Sequence, residues 1–155
     1  MSSDEPVRQQ PVLPFIKVFA LCYLGLTLVV FLLTMLTPLQ GNAGFAAGAL
    51  IGSATLAAQK FHADIGRPPL GMEVIRLSVF SFVAVLLLSV PLTVAALTAS
   101  GIALSDIGLT MQAVFGPLTG GEIATIVGFT VAIHLLVLWL SYGPVARLIA
   151  RNSRR

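Results

Sequence analysis

Between Lys17 and Lys60 the chain runs for 42 residues without a charged side chain. A further 29 uncharged residues separate Arg76 from Asp106, and 24 separate Glu122 from Arg147. A helix crosses a hydrocarbon core about 30 Å thick with roughly 20 apolar residues. The two shorter runs therefore hold one span each. The long run holds two, divided by the turn formers Thr37-Pro38-Leu39-Gln40-Gly41-Asn42. Backbone polar groups inside a bilayer must bond within their own segment, which makes each span a helix. The pattern predicts an all-α membrane protein, an antiparallel bundle of four transmembrane helices near 15–37, 43–61, 73–98 and 120–142, in one domain over 1–155.

Composition closes off the alternatives. Only 10% of residues are charged and 57% are hydrophobic, whereas a soluble domain carries about 25% charge. That is too little to cover a water-facing surface, and it is the reverse of a disordered composition. The leading Met1-Ser2-Ser3-Asp4-Glu5 puts acids where a secretory signal carries bases, so the first span is expected to be retained.

Four spans place both termini on one side. All nine bases fall there: Arg8, Lys17, Lys60, Arg67, Arg76, Arg147, Arg151, Arg154 and Arg155. The turn at 37–42 and the loop at 99–119 hold none. Lys and Arg bias sets orientation, so both termini are expected in the cytoplasm. The net charge of +3 is thus a topology signal, and no nucleic-acid partner is expected. The single cysteine, Cys22, excludes an internal disulfide or a CxxC redox pair.

The second span has its own character. From Ala43 to Ala58, 12 of 16 residues are Gly, Ala, Ser or Thr. Gly44, Gly48 and Gly52 align down one helix face, with Ala43/Ala47 and Ala49/Ser53/Ala57 as further ridges of small residues. Small ridges let helix backbones approach closely where lipid supplies no hydrophobic drive. This helix is expected to lie centrally in the bundle, with contact to a second copy or a larger membrane complex, or the lining of a pore or substrate path, as the functional alternatives.

The segment 59–76 is the one stretch of mixed charge, with Lys60, His62, Asp64, Arg67, Glu73 and Arg76. Gly66 suits the residue just past a helix end, and Pro68-Pro69 stiffens the turn after it. Glu73 falls in the first turn of the third helix, where the macrodipole favours an acid, and Arg76 lies within pairing reach on the same face. The segment is expected to form a headgroup-level hairpin with structural ion pairs; the alternative is a cytoplasmic docking surface, with Arg67, Glu73 and Arg76 as its candidate residues. His62, Asp64 and Glu73 lack compact ligand spacing, so no metal is expected.

Ala57-Ala58-Gln59-Lys60-Phe61, then Gly66-Arg67-Pro68-Pro69, then Glu73 entering a Leu/Ser/Val-rich helix, resembles the ABZJ-type family of short four-helix bacterial inner-membrane proteins. The resemblance implies a bacterial inner-membrane location. It brings no catalytic residues.

Pro91 is expected to kink the third helix. Ile107, Met111, Val114 and Phe115 recur at helical spacing and predict a short interfacial helix in the outer loop, capped by Ser105 or Asp106 and closed by Gly116-Pro117. Thr119-Gly120-Gly121-Glu122 matches a capping box. His134 falls near mid-membrane, where an ionisable residue is a candidate polar site, with a hydroxyl on a neighbouring helix as the expected partner. Trp139 and Tyr142 are expected to mark the cytoplasmic interface, Gly143-Pro144 to break the helix, and the arginine tail to meet anionic headgroups.

No nucleophile–base set, phosphate loop or cofactor motif occurs in the sequence. The residues therefore point to a non-catalytic accessory or interaction subunit, with the lipid bilayer and a homo-oligomer or larger membrane complex as partners. The alternative is a small oligomeric transporter or channel using His134.

Overall fold

The computed structural model describes residues 11–36 and 43–152. The described chain is helical: α1 (Leu13–Leu36), α2 (Ala43–Ile65), α3 (Met72–Ala99), α4 (Ile107–Phe115), α5 (Gly120–Leu140) and α6 (Ala146–Asn152). A short 3-10 turn, Leu104–Asp106, precedes α4, and a π turn, Ser141–Val145, joins α5 to α6. The expected turn at 37–42, and Arg8, Arg154 and Arg155, lie outside the described residues.

By length and composition three helices are able to cross a membrane: Leu13–Thr34, Met72–Ala99 and Gly120–Arg151. The sequence pattern predicts four, and α2 is the one missing from this set. It is a full helix of 23 residues, but small side chains give it little apolar surface. Its last turns also carry Lys60, His62 and Asp64.

Side-chain contacts give the helix directions. Phe15 meets Phe61 with ring centroids 4.7 Å apart, while Leu26 packs over Gly52, its Cδ1 3.4 Å from where a β-carbon would stand. α1 and α2 therefore run in opposite directions. Likewise Val74 faces Gly143 and Phe82 faces His134, so α3 and α5 are antiparallel. The described bases Lys17, Lys60, Arg67, Arg76, Arg147 and Arg151 consequently gather at one end.

The packing is concentrated at that basic end. Phe19, Ala54, Ala57, Phe61, Leu77, Leu138 and Tyr142 are fully buried. In α3 burial stops at Val85, and in α5 only Leu138 is buried. Beyond that level the helices present Leu, Val, Ile and Phe outward, as lipid-facing surfaces do.

α3 is continuous through Pro91 to Ala99. One expected helix interruption takes another form. Gly143-Pro144 does not break its helix: the chain passes through the π turn and resumes as α6. Pro144 has no N–H to give the carbonyl four residues back. The widened turn shifts the register, and Ala146 N–H bonds Ser141 O, five residues back.

At the other end, the capping box forms as the sequence predicts. Thr119 Oγ1 accepts Glu122 N–H at 3.3 Å, and Thr119 N–H donates to Glu122 Oε2 at 2.8 Å. α4 forms where expected, starting after Asp106, although no side chain caps it. None of its residues is buried.

Candidate functional site

The densest polar construction lies in the hairpin joining α2 to α3. Gly66 (φ 76°) and Gly71 (φ 47°) adopt the left-handed region that disfavours a β-carbon. Gly66 N–H bonds His62 O at 2.8 Å and closes α2. The two glycines fold the intervening residues back over the start of α3. Arg67 then donates two hydrogen bonds to Glu73, Nη1 to Oε2 at 2.7 Å and Nη2 to Oε1 at 2.9 Å.

Three more contacts hold this pair. Leu70 N–H donates to Glu73 Oε2 at 3.1 Å. Arg67 Nη1 also donates to Pro68 O at 3.3 Å. Its guanidinium lies 5.8 Å from the centroid of the buried Phe61 ring, within cation–π range. The Glu73 hydrogen bonds hold the Arg67 guanidinium above its ordinary range, outweighing the opposing effect of partial burial. A bidentate arginine–carboxylate pair fixes orientation as well as distance, so the hairpin has one defined shape.

This geometry redistributes the expected docking residues. Glu73 is 3% exposed, and its bidentate partner is Arg67, six residues upstream, where helix spacing pointed to Arg76. Arg76 is exposed. Of the three, Glu73 is a structural anchor with its carboxylate turned inward. Lys60 pairs with Asp64 across one exposed turn of α2 at 2.7 Å.

The glycine ridge of α2 also differs from expectation. The face packed inside the chain is Ala49, Leu50, Ser53, Ala54, Ala57, Ala58 and Phe61. Gly44 and Gly48 are exposed, and a β-carbon on Gly48 would meet nothing within 4 Å. Only Gly52 is packed, under Leu26. Gly44, Ala47, Gly48 and Ile51 form an outward stripe at helical spacing. The alanine–serine ridge makes the internal contact because its Cβ atoms fill the space between helices that glycine would leave open.

His134 bonds within its own helix: Nδ1 lies 2.8 Å from Thr130 O. The expected partner was a hydroxyl on a neighbouring helix. Only a protonated Nδ1 can donate to a carbonyl, which leaves Nε2 as the ring's acceptor. The ring lies against Phe82, centroids 6.1 Å apart.

Sequence reasoning missed two features of the basic end. Tyr142, expected at the interface, is fully buried and shares a 2.8 Å hydrogen bond with Ser81 of α3. The π turn rotates it inward; the Ser78/Ser81 spacing on α3 was the available signal for a polar partner. His62 lines a cavity of ≈ 390 Å³ with Gln59, Ala146 and Ala150. Its Nδ1 is buried without a hydrogen-bond partner among the described residues.

Comparison with protein-family models, curated proteins and solved structures finds no match.

Proposed function

We propose that this chain is a non-catalytic interaction subunit of a bacterial inner membrane, crossing it four times with both termini in the cytoplasm and binding another transmembrane helix along the outward face of α2. The observation that carries this reading is the exposed stripe Gly44, Ala47, Gly48 and Ile51. The alanine–serine ridge serves the internal contact, while Gly44 and Gly48 face out on a helix whose side chains are mostly small. Stripes of this kind let a second helix approach closely and gain dispersion and Cα–H contacts.

The four-span topology rests on α2 being 23 residues long, or about 34 Å at 1.5 Å per residue, and antiparallel to α1. The gathering of the described bases at one end supports the cytoplasmic assignment. The exposed Leu109, Met111, Val114 and Phe115 of α4 support its lying in the outer interface. The likeness of the hairpin to the ABZJ-type family supports the bacterial inner membrane.

Association in mild detergent, followed by native mass analysis, tests the proposal. The unsubstituted protein should carry a second membrane chain, its own copy or a larger complex. Gly48→Ile should release it without altering helicity. Retention of the partner by Gly48→Ile would remove the α2 face from the reading.

A further inference from the structure

We infer that the junction of α3, the hairpin and α6 is a binding site for an anionic phospholipid of the adjacent leaflet. Arg147 and Arg151 stand one turn apart on α6, about 6 Å along the axis. Together with Pro68, Leu70 and Ala150 they line a cavity of ≈ 260 Å³. Arg147 also lines a second cavity of ≈ 410 Å³, walled by Met72, Ile75, Trp139 and Pro144. The two hollows therefore share Arg147, which Arg151 joins in the first and Met72, Ile75 and Trp139 face in the second.

Charge accounting points to an anion. Asp64 is engaged by Lys60 and Glu73 by Arg67. Neither Arg147 nor Arg151 has an acidic partner among the described residues, and both are exposed. Paired guanidinium forks suit a phosphate, which accepts their N–H groups bidentately.

The second hollow decides between a lipid and a soluble phosphate. Met72, Ile75 and Trp139 are each about half exposed, on the side where α3 and α5 face lipid. Gly143 and the π turn open the groove at this level, since residue 143 offers no side chain beside Val74. A diacylglycerol phosphate fills both hollows, with the phosphate between Arg147 and Arg151 and an acyl chain along Met72, Ile75 and Trp139. A free phosphate leaves the apolar half empty. The Arg67–Glu73 pair sets the rim, because it fixes Pro68 and Leu70. The inference rests on the membrane location and is independent of the α2 face, so loss of a partner helix leaves it standing.

The test uses the full chain in mild detergent, titrated with phosphatidylglycerol or with phosphatidylcholine of the same acyl chains and read by native mass spectrometry. Phosphatidylglycerol adducts should persist at detergent concentrations that strip phosphatidylcholine. Arg147→Gln with Arg151→Gln should weaken phosphatidylglycerol binding about tenfold or more, with the thermal melt unchanged. Lys17→Gln with Arg76→Gln, which removes the same two charges from exposed sites at the same end, should change it less than about twofold. Equal retention of both lipids, or an equal loss with Lys17→Gln and Arg76→Gln, would overturn a built site in favour of general charge attraction. Full competition by glycerol phosphate would overturn the lipid in favour of a soluble anion.

Discussion

Tyr142 Oη and Ser81 Oγ lie 2.8 Å apart and join the π turn to α3 inside the packed end of the bundle. Both side chains are fully buried, so the bond has no water to compete with it. Interhelical hydrogen bonds in membranes average about 0.6 kcal/mol and reach about 1.7. Tyr142→Phe should destabilise the fold by about 1 kcal/mol. A double-mutant cycle with Ser81→Ala, followed by unfolding in mixed micelles, should give a positive coupling. Strict additivity would mean that the two hydroxyls act independently.

The Arg67–Glu73 pair should be asymmetric under mutation. The Arg67 side chain is 25% exposed and that of Glu73 is 4% exposed. Removing the arginine strands a buried carboxylate; removing the acid leaves a guanidinium that can swing into water. Arg67→Met should therefore cost about 3 kcal/mol and Glu73→Gln about 1–2. Thermal melts of the two single variants check the order, and the reverse ranking would contradict this placement of Glu73.

The same pair makes a pH prediction. The hydrogen bonds to Glu73 raise the Arg67 pKa above its ordinary value. A group with a raised folded-state pKa contributes its full stability below the unfolded value and loses it only as pH rises through the folded one. Arg67's contribution should thus be constant between about pH 7 and about pH 11. The melting difference between the native chain and the Arg67→Met/Glu73→Gln double variant, which leaves no carboxylate to titrate, should stay flat across that range.

Local and non-local features were not equally legible in the sequence. The Thr119–Glu122 capping box and the glycine closure of α2 at Gly66 follow from contacts within a few residues, and both form as the spacing predicts. The pairing of Glu73 was obscured because helix spacing offers Arg76, while Arg67 reaches it only through a turn built by two left-handed glycines. Tyr142 reads as an interfacial aromatic in a regular helix. Its burial depends on a π turn, which shifts the helical register in a way that a 3.6-residue period cannot reveal. On α2 several small ridges lie side by side; their spacing identifies them equally well, and only packing selects which one turns inward.

His134 should carry its proton on Nδ1, held by the Thr130 carbonyl. Nitrogen-15 NMR of histidine-labelled protein in lipid should find Nδ1 protonated in the neutral ring and Nε2 bare. The opposite tautomer would require a different partner. Because the ring's contacts are a backbone carbonyl and Phe82, His134→Phe should retain the fold with a loss of about 1 kcal/mol, read by thermal melt.

Reporter fusions test the orientation. A fusion after Arg67 should report the cytoplasm and one after Ala103 the opposite side. A cytoplasmic signal at Ala103 would reverse the assignment drawn from the bases.

The central claim is that the outward glycine stripe of α2 seats another transmembrane helix. The most direct measurement is site-directed crosslinking in native membranes, with Cys22→Ala removing the natural thiol and a single cysteine placed at Gly48 or at the lipid-facing Leu87 of α3, which is 71% exposed. A thiol-attached benzophenone, which on illumination inserts into neighbouring C–H bonds, should join the Gly48→Cys chain to a second membrane chain in high yield and leave Leu87→Cys monomeric. Equal yields at the two positions, or no product at Gly48→Cys, would contradict the claim.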